Sequence, residues 1–101
     1  MINGLTKSEF DIIVKEVIEP LKSIKARVWV FRSRAREDYK KYSDIDLLFE
    51  LDEDSTIPPG FIYNIELRLE ESNLPYKVEL VNVEILADSY RDSVMKDRIL
   101  L

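Results

Sequence analysis

Asp44-Ile45-Asp46 stands at the head of the run Ile45 to Leu51, and no other feature of the sequence restricts the fold as much. A short run rich in leucine, isoleucine and phenylalanine reads as a strand, whose side chains alternate between the two faces of a sheet. The two carboxylates therefore leave the backbone on one face, where two hard oxygen donors converge. Such a point suits Mg²⁺, which takes one or two protein carboxylates, completes its octahedron with water and phosphate oxygens, and neutralises charge on a phosphoryl group in flight. Taken alone, the pair is equally readable as a turn before a strand edge, because Asp favours both. What precedes and follows it tips the balance. Ser33 lies ahead in a basic segment with ten residues between it and Asp44, and Glu79 lies in a later apolar run.

The surrounding pattern supplies the elements. Thr6-Lys7-Ser8-Glu9 is a capping box, in which a hydroxyl and a carboxylate satisfy the first free amides of a helix. Phe10, Ile13, Val14, Val17, Ile18 and Leu21 then line one helical face, and Pro20 predicts a kink or an end nearby. Ala26 to Phe31 is a β-branched and aromatic run suited to a buried strand, antiparallel to the Asp44–Leu51 strand across the basic loop. Pro58 and Pro59 open a second helix with Phe61, Ile62, Ile65 and Leu69 inward, closed by Asn73 and Pro75. Tyr76 to Val83 forms a third strand that aims Glu79 at the edge occupied by Asp44 and Asp46. A last helix spans about Ala87 to Arg98, with Ala87, Tyr90, Val94 and Met95 inward. Ile99-Leu100-Leu101 is an unusually apolar end, suited to the core or to a partner. The result is an α+β domain over residues 1–101, a small mixed β-sheet with helices packed against it.

Composition removes whole classes of chemistry. The chain has no histidine and no cysteine, which excludes Ser-His-Asp and Cys-His catalysis, imidazole bases, disulfides and thiolate zinc. Whatever reaction occurs must use carboxylates, hydroxyls, basic side chains and a bound metal. No apolar stretch approaches the roughly 20 residues of a membrane span, and Met1–Thr6 lacks the layout of a secretory signal, so a cytoplasmic protein is expected. The net charge of −5 argues against direct nucleic-acid binding. Yet Lys22, Lys25, Arg27, Arg32, Arg34, Arg36, Lys40 and Lys41, opposed only by Glu37 and Asp38, give the segment Leu21–Ser43 a charge of +6. A basic patch beside the carboxylates would attract a nucleotide or an acidic partner surface.

Ser33, ten intervening residues and Asp44-Ile45-Asp46 resemble the G-S-x10-D-x-D signature of the minimal nucleotidyltransferase family, a short relative of the DNA polymerase β nucleotidyltransferase fold. The likeness continues through Trp29-Val30-Phe31, Leu47-Leu48, the Leu74–Val81 segment carrying the third acid, and the closing helix from Asp88. It implies that Asp44, Asp46 and Glu79 are catalytic and hold Mg²⁺, and that Arg32, Ser33 and Arg36 bind ATP, the AMP donor. Minimal members also resemble antitoxins whose partner is an all-helical HEPN-domain ribonuclease toxin, neutralised by adenylylation of a tyrosine. A toxin–antitoxin hetero-oligomer is thereby implied. The chain departs from the family pattern with Arg32 in place of the glycine before the serine, with Glu37 at a second glycine position, and with Glu79 where aspartate is commoner. Glycine at the first position lets backbone approach phosphate. Its replacement leaves a second reading open, a binding antitoxin that masks the toxin by contact alone.

Overall fold

The computed structural model describes residues 2–101. Helix α1 (Lys7–Ile13) begins at the Thr6 capping box, with Thr6 Oγ1 accepting from the Glu9 amide and Glu9 Oε1 accepting from the Thr6 amide. The disruption expected at Pro20 takes the form of a π turn, Val14–Ile18, after which the chain remains helical through α2 (Glu19–Ser23). A proline cannot donate one turn back and crowds the carbonyl there; the wider turn ahead of it takes up the displacement, and the helix continues instead of stopping.

Strand β1 (Ala26–Val30) leads to a one-turn helix α3 (Ser33–Arg36), then to β2 (Ile45–Leu51). Helix α4 (Phe61–Glu71) starts only after both prolines, with Gly60 in the left-handed region at its N-terminus, and its buried side chains are Ile65 and Leu69. Strand β3 (Val78–Asn82) is followed by a 3₁₀ turn, Val83–Ile85, by α5 (Asp88–Asp97) and by the short strand β4 (Ile99–Leu100).

The sheet has the order β3-β2-β1-β4. Strands β1 and β2 pair antiparallel, with Trp29 opposite Leu48, while β2 and β3 run parallel, with Asp46 opposite Glu79. This is the mixed sheet expected from the sequence. The apolar end Ile99-Leu100 becomes the fourth strand, antiparallel to β1, and Leu101 packs against the main core.

Alternation along the strands divides the apolar residues between two clusters. Val28, Val30, Ile45, Leu47 and Phe49 meet Ile13, Val17, Leu21 and Ile65 of the helices on one face. Trp29, Phe31 and Leu48 meet Val83 and Val94 on the other. Of the residues expected inward on the last helix, Val94 is buried and Met95 packs on this second cluster, whereas Ala87 and Tyr90 are exposed. The short α5 covers only part of this face, because Val83 and Leu86 from the preceding turn fill the space that another apolar row would take.

Candidate active site

The part of the second face beside α5 carries the acids. Asp46 follows the same alternation as Leu48, so its side chain lies on the α5 side of the sheet, and the parallel register sets Glu79 directly beside it. Asp44 is exposed just ahead of β2 and is close enough to act electrostatically on Asp46. Asp46 is 8% exposed, and its pKa is raised from 3.8 to about 6. Burial is the main cause; Arg32 opposes it, and the hydrogen bond and negative charge of Glu79, followed by the charge of Asp44, add to it.

Arg32 reaches over this pair. Its Nη1 lies 3.5 Å from Asp46 Oδ1 and 3.6 Å from Glu79 Oε2, with the guanidinium 5.0 Å from the centre of the Phe31 ring. The backbone at Arg32 has φ 61° and ψ −141°, a conformation natural to glycine and costly for any side chain, by about 1–3 kcal/mol. The Arg32 carbonyl accepts from the amides of Ala35 and Arg36 and so starts the turn of α3. Ser33, half-buried, is the first residue of that turn. Arg36 bonds Asp38 at 3.2 Å and reaches Asp97 of α5 at 3.6 Å.

Arg34 has a different part from the one its place in the basic run suggests. It is buried, its Nε and Nη2 donate to the Ser43 carbonyl, and its Nη1 donates to the Asn3 carbonyl. The rings of Tyr39 and Tyr76 lie 5.1 and 4.7 Å from it. Asn3 returns a hydrogen bond to the Arg34 carbonyl. Gly4 passes so close that an added Cβ would lie 2.7 Å from Arg34 Nη1 and 2.5 Å from Tyr39, at a φ of 83°. The loop between β1 and β2 is thus pinned at its middle to the N-terminal segment. The basic patch is correspondingly reduced, since Arg27 pairs with Glu50, Arg32 and Arg36 pair with acids, and Arg34 is internal.

A cleft of about 260 Å³ opens between α3 and α5, lined by Arg32, Arg36, Leu86, Tyr90, Ser93, Val94 and Asp97. The α5 residues were not marked as functional by the sequence. Tyr90, Ser93 and Asp97 form a helical stripe on α5, with Leu86 from the preceding turn beside it, and its polar content is the signal that separates a cleft wall from a core face.

The structure therefore brings Asp46, Glu79 and Arg32 together, with Asp44 at the rim and Arg36 across the cleft. Among the described residues no three acids form a cluster placed to hold one ion. The donor set nevertheless fits Mg²⁺, because the Asp46 and Glu79 oxygens are hard donors in adjacent register and one or two carboxylates suffice for that ion.

Residues 10–101 match the family model of the nucleotidyltransferase domain, and the chain belongs to that family. Over 92 residues it is 34% identical to the Haemophilus influenzae protein named "Probable protein adenylyltransferase MntA", covering 89% of this chain and 76% of the relative. A solved structure of a candidate minimal nucleotidyltransferase superposes with a TM-score of 0.70 at 27% identity, over 98% of this chain and 99% of the other. A crystal structure of a toxin–antitoxin with AMP-PNP shares the fold, with a TM-score of 0.63 at 18% identity over 85% of this chain and 69% of the other.

Proposed function

We propose that the chain is an antitoxin-type nucleotidyltransferase that neutralises a HEPN-domain ribonuclease toxin in the cytoplasm by transferring AMP from ATP to a toxin tyrosine. The observation that carries this reading is the Asp46–Glu79 pair, side by side on the α5 side of the sheet, with Asp44 acting on it electrostatically and a cleft alongside. Similarity to a protein named as an adenylyltransferase supports the choice of donor and acceptor.

In the proposed reaction the tyrosine oxygen attacks the α-phosphorus of ATP, the bond to the β-phosphate bridging oxygen breaks, and pyrophosphate leaves. Mg²⁺, held by Asp46 and Glu79 with Asp44 adding negative charge from the rim, would neutralise charge on the triphosphate. Glu79, half-exposed at its side chain, would either share that ion or receive the phenolic proton. Arg32, Ser33 and Arg36 would hold the outer phosphates, two guanidinium groups supplying charge and Ser33 a hydroxyl at the head of α3.

The test is transfer itself. The chain and its co-purified toxin, incubated with ATP and Mg²⁺, should show the toxin gaining the mass of one AMP. Asp44→Asn with Asp46→Asn should abolish that gain while the fold survives, since both changes keep volume and relieve like-charge repulsion. Unchanged labelling by the double variant would refute the mechanism. A second reading, an antitoxin that masks its toxin by contact alone, is favoured by the position of Arg32 on the carboxylate pair. In that case the toxin stays unmodified and is inhibited only while bound.

A further inference from the structure

Arg32 occupies the place a bridging cation would take, and it does so loosely. Nη1 at 3.5 Å and 3.6 Å from the two carboxylates is well outside the roughly 2.7–2.9 Å of a close charged hydrogen bond. About half of the side chain is open to solvent, and its remaining support is the face of Phe31. Attraction of charge holds it there, without close hydrogen bonds that would have to be broken for it to leave.

The charge it offers is also too small. Asp44, Asp46 and Glu79 all act at this point, so one guanidinium leaves two negative charges uncompensated. A divalent cation would cancel them. An ion holding Asp46 and Glu79 at about 2.1 Å would sit within contact range of Nη1 and repel it, so the ion and the arginine exclude one another. Arg32 has somewhere to go, because it already forms part of the cleft wall together with Arg36.

We propose, on the premise that these carboxylates take a divalent cation, that Arg32 is a displaceable counter-ion. It fills the cation position in the free protein, is exchanged for the metal on loading, and then remains on the cleft wall. It is a positioning residue that weakens binding of metal alone and favours metal that arrives with the anionic charge of a triphosphate able to receive the guanidinium.

Mn²⁺ alone is the probe, with its binding to the full chain read from the electron paramagnetic resonance signal of the free ion and from calorimetry. Arg32→Ala should bind Mn²⁺ up to about fivefold more tightly than the parent chain, the effect of removing a competing partly exposed ion pair. Arg32→Lys, which keeps a competing charge, should stay within about threefold of the parent, and Asp46→Asn should lose the binding. Circular dichroism melts establish that each variant is folded. If Arg32→Ala is not, Arg32→Gly repeats the measurement with a residue suited to φ 61°.

Equal or weaker binding by Arg32→Ala, with Asp46-dependent binding by the parent, would overturn the exchange and leave the metal site standing. Absence of Mn²⁺ binding by the parent and by the Arg32 variants would overturn both the exchange and metal-assisted transfer.

Discussion

Arg32 and Arg34 stand two residues apart in one basic run, yet they have entirely different surroundings. Arg34 is 1% exposed, lies between two tyrosine rings and has Asn3 and Ser43 carbonyls at the ends of its donors. Arg32 has half its side chain in solvent and two acids at longer range. The first is an internal tie between segments 31 residues apart; the second is a charge above a site. The same residue type is therefore fixed where neutral carbonyls surround it and exchangeable where only charge holds it, because close hydrogen bonds in a buried place are directional and Coulomb attraction in a wet one is not.

This contrast breaks first if Arg34 proves dispensable. Arg34→Ala should destabilise the fold by about 4 kcal/mol, combining the large-to-small loss of a buried side chain with carbonyls left unpaired. Urea denaturation monitored by circular dichroism measures it. A loss under about 0.5 kcal/mol, the range typical of a surface residue, would mean that the loop is held in some other way.

How much of this was readable beforehand follows from distance along the chain. The capping box at Thr6 and the stripe of Ile13, Val17 and Leu21 are local signals and appear where the pattern put them, while the strand runs are right in place but shorter, with Asp44 just ahead of β2 and β3 confined to Val78–Asn82. The meeting of Asp46 with Glu79 was also readable, since alternation aims Glu79 at the edge carrying Asp44 and Asp46, whereas Asp44, ahead of the strand, stays at the rim. Arg34 was not, since its acceptors are backbone carbonyls of Asn3 and Ser43, which carry no side-chain signature. Nor was β4, because a two-residue strand is too short for alternation to appear. Tyr90 was misplaced because aromatic residues at helical spacing suit a core and a cleft wall equally well.

The acid side of the contrast is sharpened by pH. Asp46 titrates near 3.8 when unfolded and at about 6 in the fold, so the folded state holds its proton more tightly. Its contribution is therefore most favourable below the unfolded value, falls as pH rises between the two values, and is at its least above the folded one. The expected fall is on the order of 3 kcal/mol, and comparing urea midpoints across pH for the parent and Asp46→Asn isolates it. A variant with the same pH slope as the parent would remove Asp46 as its source.

The smallest expected effect is the most discriminating for Arg32. Arg32→Gly relieves a backbone strain of about 1–3 kcal/mol, but gives up a partly exposed ion pair worth at most about 1 kcal/mol and adds freedom to the unfolded chain worth about 0.4–1 kcal/mol. These oppose one another, so stability at pH 7 should change by less than about 1 kcal/mol, against the much larger loss for Arg34→Ala. Meanwhile the guanidinium no longer opposes burial and Glu79 at Asp46, so the pH-dependent fall should extend to higher pH than in the parent. A large loss of stability would make Arg32 a structural tie like Arg34. A small change with no movement of the titration would mean that Arg32 does not act electrostatically on the pair, and the proposed exchange with a metal would lose its physical basis.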